Sequence, residues 1–376
     1  MRIAILRETA PRELRVALIP EVASRLIRAG HAVTFEAGAG VRAGFLDAAY
    51  VEAGATLAAD AAAALSDAQV VARVREPELA EIDAMPEGCS LLGLMGRGDD
   101  EARMARYRAR RISVFSLHTL PRISRAQKMD ALSSMATVAG YQAVLLAAHT
   151  SGRFFPLLMT AAGTVAPTRL FVLGAGVAGL QAIATARRLG AVVEAFDVRP
   201  AVAEEVQSLG ATFVQLDLGG EGVGAGGYAK DLDEQRQLQV RQLIRSRLPL
   251  NDVLITTASI PGRAAPLLIT AEMAAHLRPG SVVVDLAAES GGNCAHTVPG
   301  ESVVVDGVTY HGPLDIAATL QTHASQMYAR NLLALITHLA GADGKWTLDF
   351  SDEITRGCCL THAGQPAPAL EPAGKA

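Results

Sequence analysis

The sequence predicts an α/β protein: two doubly wound, mostly parallel sheets with a cleft between them, joined by long helices. Three observations predict this class. The chain has 376 residues, too many for one ordinary domain and suited to two of roughly 150–200 residues. Half of the residues are hydrophobic, enough material for sizeable cores. Short β-rich runs alternate with helical patterns along most of the chain, which is how βαβ units read in sequence.

In the first 117 residues, the apolar or β-branched runs at 2–6, 32–36, 69–74, 90–94 and 112–117 read as strands. Segment 20–29 reads as a helix, with Val22, Leu26 and Ala29 on one face and Gly30 as its stop. Residues 124–149 read as one long alanine-rich helix, bent or interrupted at Gly140 if anywhere. The stretch 131–152 carries no Asp, Glu, Lys or Arg and has the length of a membrane span. Ser133, Ser134, Thr137, Gln142, His149, Thr150 and Ser151 dilute it, so a buried helix is expected instead.

A second alternating block follows. Its expected strands are 170–173, 192–197, 212–216, 252–256, 281–286 and 302–305, with 308–310 as an edge or return strand. Its helices are expected at 178–189, 201–209, 230–248 and 270–277, and a helix at 320–339 is expected to cross back to the first domain. Residues 1–133 with 315–376 then form one domain and 134–314 the other. The Pro-, Ala- and Gly-rich tail after Gly364 is expected to be loose.

Composition excludes several function classes. A net charge of -4 and an aromatic content of 4% lack the basic footprint and stacking platforms of a nucleic-acid binder. The run Arg106, Arg108, Arg110, Arg111 reads as a solvated helix face. Cys89, Cys294, Cys358 and Cys359 form no Cys-x-x-Cys, so reduced thiols are expected. No His-x-x-x-His or similar spacing suggests a metal, and no Ser-His-Asp or Cys-His arrangement suggests a nucleophile. The N-terminus has no run of signal-peptide character.

The strongest chemical signal is a hydrophobic strand, 170–173, running into Gly174-Ala175-Gly176-Val177-Ala178-Gly179 and then a helix. In this Gly-x-Gly-x-x-Gly, Gly174 permits a tight turn, Gly176 lets backbone amides approach a pyrophosphate and Gly179 lets the helix pack on the strand. The helix N-terminus favours phosphate. Asp197 ends the next strand, where a carboxylate can accept from both hydroxyls of an adenosine ribose and repel a 2′-phosphate. The pattern predicts a Rossmann-like domain selecting NAD(H), with Arg199 softening the exclusion of NADP(H).

Two further stretches are informative. Six of the nine residues 219–227 are glycine, followed by Tyr228-Ala229-Lys230. They make either a flexible linker or a mobile lid tipped by Tyr228. In 121–133, Gln127, Asp130 and Ser133 recur every three residues and would share a helix face. Spacing alone makes that face merely solvated.

Together these stretches resemble one family. Pro-Arg-Ile-Ser-Arg-Ala-Gln at 121–127, Met-Thr-Ala-Ala-Gly-Thr-Val at 159–165 and Leu-Gly-Ala-Gly-Val-Ala-Gly-Leu-Gln-Ala-Ile-Ala-Thr-Ala at 173–186 look like the NAD(H)-binding domain of proton-translocating nicotinamide nucleotide transhydrogenase. Gly-Gly-Tyr-Ala-Lys at 226–230, Ile-Pro-Gly-Arg at 260–263 and Glu-Ser-Gly-Gly-Asn-Cys at 289–294 extend the likeness from Arg2 to about Gly364. The chain resembles the separate soluble alpha subunit found where the alpha polypeptide is split.

The resemblance implies hydride transfer between NAD(H) here and NADP(H) on a partner subunit, coupled to proton movement through a membrane-spanning subunit. It also implies a homodimer in the cytoplasm, held peripherally at the inner membrane by its partners. It assigns Gln127 and Asp130 to the catalytic end, and Arg122, Ile123, Ser124, Arg125 and Ser133 beside them to the nicotinamide half. Gly174, Gly176, Val177, Gly179, Asp197, Val198 and Arg199 would hold the adenosine half, Gly227, Gln239 and Ser259 would line the rest, and Tyr228 would tip a closing loop. The chain departs from the family's usual wording at His118-Thr119-Leu120, at Met135-Ala136-Thr137-Val138 and at Ser259.

The nearest rival is alanine dehydrogenase, which shares Arg-Val-Ala-Leu at 15–18 but relies on a lysine and a histidine in its first domain. The corresponding regions here read Val71-Ala72-Arg73-Val74-Arg75-Glu76-Pro77 and Leu91-Leu92-Gly93-Leu94-Met95-Gly96. Neither residue is present. A non-catalytic NAD-binding protein is the other alternative.

Overall fold

The computed structural model describes residues 1–216, 233–259, 262–341 and 346–367. The chain divides into two compact units, 1–135 with 318–376, and 136–317. Each is built on one doubly wound sheet.

In the first unit the sheet order is Gln365–Pro366, Cys359–His362, Ser113–Ser116, Ser90–Leu94, Val70–Arg75, Arg2–Ile5, Ala32–Glu36, Thr56–Ala58. The six strands before residue 117 run parallel, and the last two in sequence are antiparallel additions at one edge. Strands such as Val70–Arg75 are buried on both faces, which is why they read as continuous apolar runs rather than alternating ones. Helix Pro20–Arg28 buries Val22, Ala23 and Leu26, and Gly30 takes positive φ just beyond it. Helix Gln321–Leu339 belongs to this unit, burying a stripe that includes Ala324, Tyr328, Leu332, Leu335 and Leu339. The thiols of Cys358 and Cys359 are buried as packing groups. Gln365–Pro366 pairs with Cys359–His362, so the start of the tail is held in a hairpin rather than loose.

In the second unit the order is Thr212–Phe213, Val192–Phe196, Arg169–Leu173, Val253–Thr256, Val282–Asp285, Val308–His311, Ser302–Val305. All pairs are parallel except the last. This reverses one expectation: Val308–His311 lies inside the sheet and Ser302–Val305 is the return strand at the edge. Burial explains the choice, since Val308, Tyr310 and His311 are enclosed while Ser302 and Val304 are exposed. Alternate side chains feed two cores. Leu170 and Val172 pack with Ala182, Ile183 and Val193 on one face, and Phe171 and Leu173 with Ile244, Leu254 and Met273 on the other.

The expected helix 124–149 is two elements. Residues Ser124–Met129 form a 3-10 helix, and a 20-residue α-helix follows at Ala131–Thr150, carrying the chain from one unit into the other. The α-helix passes through Gly140 unbroken. A Cβ there would lie 2.1 Å from the Ala178 carbonyl oxygen, so glycine serves close packing against helix Val177–Arg188. By length and composition Ala131–Thr150 could cross a membrane, and 39% of its most apolar window is buried. It is thus partly enclosed rather than fully buried, with Tyr141 and His149 exposed. A two-stranded ribbon, Leu158–Thr160 with Gly163–Val165, stands outside both sheets.

Candidate nucleotide site

The second sheet changes strand order direction between Arg169–Leu173 and Val253–Thr256, the position where doubly wound sheets bind ligands beyond their C-terminal strand ends. The loops leaving these strands carry the glycine turn and residues 257–259. Gly174 has φ +100°, which a side-chain-bearing residue adopts only under strain, and a Cβ there would meet Thr257 Oγ1 at 2.5 Å. Gly179 faces the opposite constraint. A Cβ there would sit 1.9 Å from the Gly174 carbonyl oxygen, so the helix can approach the strand only with glycine in place.

Gly176 differs from both. It caps helix Val177–Arg188, and among the described residues nothing lies within 4 Å of the Cβ it lacks. Fold packing therefore does not require glycine at 176, whereas a phosphate drawn to the helix N-terminus would use that space. Val177, the first helical residue, is 44% exposed for an apolar side chain. These features fit a dinucleotide.

The adjoining loop is fastened to the glycine turn. Thr257 Oγ1 donates to the Gly174 carbonyl at 3.0 Å. Asn293 clamps the next residue from both sides, its Nδ2 donating to the Ala258 carbonyl at 2.8 Å and its Oδ1 accepting from the Ala258 N–H at 3.0 Å. Asn293 is itself held by buried Asp285, which accepts from its N–H at 2.6 Å and from Thr297 Oγ1 at 2.6 Å. Ser259 emerges from this loop exposed. Nothing in the sequence pattern marks Thr257 or Asp285 for this role. The available signal is Glu-Ser-Gly-Gly-Asn-Cys, whose asparagine is the clamp.

Asp197 arrives at the turn as expected, with its side chain only 6% exposed. Its Oδ2 accepts from the Ala175 N–H at 2.8 Å. Its Oδ1 accepts from the Arg199 N–H at 2.9 Å, and the Arg199 guanidinium spans both oxygens through Nε and Nη2 at 2.9 Å each. Hydrogen bonding to Asp197 holds the Arg199 guanidinium above its ordinary value. Val198 packs on the adjacent core. The structure thus brings Gly174, Gly176, Val177, Gly179, Asp197, Val198 and Arg199 to one turn. Gln239 is exposed on helix Glu234–Arg247, beside buried Val240. Gly227 and Tyr228, and with them the linker-or-lid question, lie outside the described residues.

The remaining expected residues lie in the first unit, around Ser124–Met129. Arg122, Ser124 and Gln127 are exposed and Ile123 is half-buried, while Ala126 and Met129 anchor the turn in the core. Arg125 reaches Asp352 at 2.9 Å and Glu353 at 3.3 Å, tying the turn to helix Glu353–Cys358. Asp130 and Ser133 do come together, for a reason different from a shared helix face. Asp130 precedes the helix with φ −72° and ψ 82°, and its carboxylate accepts from the Ser133 N–H at 2.9 Å and Oγ at 2.6 Å. It acts as an N-cap, the pattern Asp-x-x-Ser announces.

This glycine turn, followed one strand later by an acidic residue, defines a dinucleotide-fold protein. Residues 4–139 match the alanine dehydrogenase/PNT N-terminal domain and residues 143–367 the alanine dehydrogenase/PNT C-terminal domain, and the chain belongs to that family. Within it, the chain is 44% identical over 372 residues to the first portion of the NAD(P) transhydrogenase alpha subunit of Rhodospirillum rubrum, covering 97% of each chain. The crystal structure of transhydrogenase from Sinorhizobium meliloti superposes with a TM-score of 0.89 at 40% identity, covering 98% of this chain and 100% of that one. An L-alanine dehydrogenase structure is a more distant relative, with a TM-score of 0.80 at 26% identity over 97% and 96% of the two chains.

Proposed function

We propose that this chain is the NAD(H)-binding subunit of a proton-translocating transhydrogenase, passing hydride directly between NAD(H) and NADP(H) held by a partner subunit. The observation that carries the reading is the open Gly176 position at the helix N-terminus, with Asp197 one strand away. The transhydrogenase names of its most similar relatives support it. Gly174, Gly176 and Gly179 shape the turn for the pyrophosphate, and the adenosine end lies at Asp197, Val198 and Arg199. Gln239 and Ser259 belong to the remainder of the site, to which the resemblance also assigns Gly227 and Tyr228.

Arg122, Ile123, Ser124, Arg125, Gln127, Asp130 and Ser133 serve the nicotinamide end. Bound NAD(H) supplies the hydride or its acceptor. The work left to Gln127 and Asp130 is orientation: Gln127 sets the ring against its partner, and Asp130, by capping helix Ala131–Thr150, fixes where that segment stands. No acid–base relay is needed for hydride passage between two rings. Proton coupling belongs to the membrane-spanning partner, which places this subunit at the cytoplasmic face of the inner membrane. A homodimer is part of the reading, and ribbon residues Met159 and Val165, at 79 and 41% exposed, with Leu157 just before the ribbon at 56%, offer apolar surface for it.

The test mixes the purified chain with an NADP(H)-binding partner domain, NADPH and an oxidised NAD analogue. Analogue reduction that requires both proteins is the expected result. Turnover of alanine and NAD by the chain alone would move it to the dehydrogenases. Confirmed NADH binding without transfer would leave a binding protein.

A further inference from the structure

Asp197 is saturated. A carboxylate offers about four acceptor positions, two on each oxygen. Oδ1 takes the Arg199 N–H and Nε, and Oδ2 takes the Ala175 N–H and Arg199 Nη2. The two backbone donors are fixed by the chain. The two guanidinium donors ride on a side chain that can rotate away. Lifting the guanidinium leaves one vacancy on each oxygen, which is what two neighbouring ribose hydroxyls require. With the guanidinium in place, neither hydroxyl can be accepted without losing an existing bond.

We propose that Arg199 is the selectivity gate of the nucleotide site: it competes with the adenosine ribose for Asp197, and NAD(H) enters only as the guanidinium moves off. The proposal rests on the nucleotide-site reading above and deepens it. It has two consequences with the same sign. Displacing a bidentate, charge-assisted pair subtracts from NAD(H) affinity. A guanidinium paired with Asp197 also cancels the negative charge that would reject a 2′-phosphate, and once displaced it remains nearby as a cation for that phosphate. Arg199 therefore narrows the preference for NAD(H) over NADP(H), although it stands beside the residue that creates the preference.

The experiment measures Kd for NADH and NADPH by nucleotide fluorescence and calorimetry on the full chain and on Arg199→Ala. Near-UV circular dichroism checks the fold. Ala175 and Arg199 N–H groups persist in the variant, so Asp197 stays placed. NADH should bind about fivefold more tightly and NADPH more weakly, widening their ratio about tenfold or more. The gain for NADH should vanish for an analogue lacking the adenosine 2′- and 3′-hydroxyls, a discrimination that a general change in packing would not produce. Arg199→Lys, which keeps the charge but covers one oxygen at a time, should fall between, and it serves if the alanine variant does not fold. NADH affinity unchanged or weakened in folded Arg199→Ala, with wild type binding normally, overturns the gate and leaves the site intact. Failure of the wild-type chain to bind NADH overturns the site reading and the gate with it.

Discussion

The two sheets share the strand order around their first strand and differ in what fills the end of that strand. In each, the first strand lies between the second and the fourth, so each reverses winding beyond the first strand's C-terminal end. In the second unit that end opens into glycine, with no described residue over Gly176. In the first unit it is filled by the chain's own charges. Glu8 accepts from the Val74 and Arg75 N–H groups at 2.7 and 3.2 Å, and Arg73 pairs with Glu8 at 3.3 Å and Glu81 at 3.0 Å. Arg15 and Arg75 both pair with Glu13. Tyr328 closes the cluster by donating to the Arg73 carbonyl at 2.7 Å. A doubly wound sheet is therefore not a nucleotide site by itself. What distinguishes the two ends, among the described residues, is whether space is left over a helix N-terminus or filled by the chain's own charged side chains.

The largest effect should come from Gly179→Ala. Its Cβ cannot coexist with the Gly174 carbonyl, so helix and strand must separate. Loss of about 3 kcal/mol or more is expected on chemical denaturation, together with loss of NADH binding. Arg73→Met attacks the other end. It strands Glu8 without its cation and should cost about 3 kcal/mol, read from Trp346, the chain's single tryptophan, which lies in the first unit. NADH affinity should be unaltered, and a matching loss of affinity would break the contrast between the two ends. Gln127→Asn should leave NADH affinity within about twofold yet slow hydride transfer about tenfold, because ring placement changes more than contact. Wild-type transfer rates would remove its role.

The smallest effect is one of pH. Burial pushes the Asp352 carboxyl up, but the N–H groups of Thr355 and Ile354, with Arg125 and His338, outweigh it and hold it at about 2. Its folded value lies below its unfolded one, so its stabilisation is present above pH about 4 and fades as pH falls toward 2. Asp352→Asn should flatten that part of the Trp346 melting profile. An unchanged slope would place the acid sensitivity elsewhere.

Much of this is legible in the sequence because buried parallel strands announce themselves. Residues 170–173, 253–256 and 282–285 are apolar almost throughout and enclosed on both faces. What escapes is short or polar. Thr56–Ala58 is a three-residue edge strand, and the ribbon at 158–165 exposes most of its residues, so neither leaves a periodic trace. The glycine turn is readable residue by residue, since each glycine answers a different steric demand. The capture of Asp197 by Arg199 is only half visible. Spacing puts a cation near the carboxylate, but nothing linear says that one guanidinium spans both oxygens. Asp130 reads as a helix-face residue because a periodic pattern cannot separate a 3-10 turn plus N-cap from a continuous helix.

NADH titration of Gly176→Ala asks directly whether the glycine turn of the second unit holds the nucleotide. Among the described residues the substitution meets no neighbour, and the backbone at 176, φ −78° and ψ −168°, suits alanine. Unchanged melting with NADH affinity down about a hundredfold is the expected result, because the bound ligand uses that space. Undiminished NADH binding by the folded variant would mean that the glycine turn of the second unit is not where the nucleotide lies.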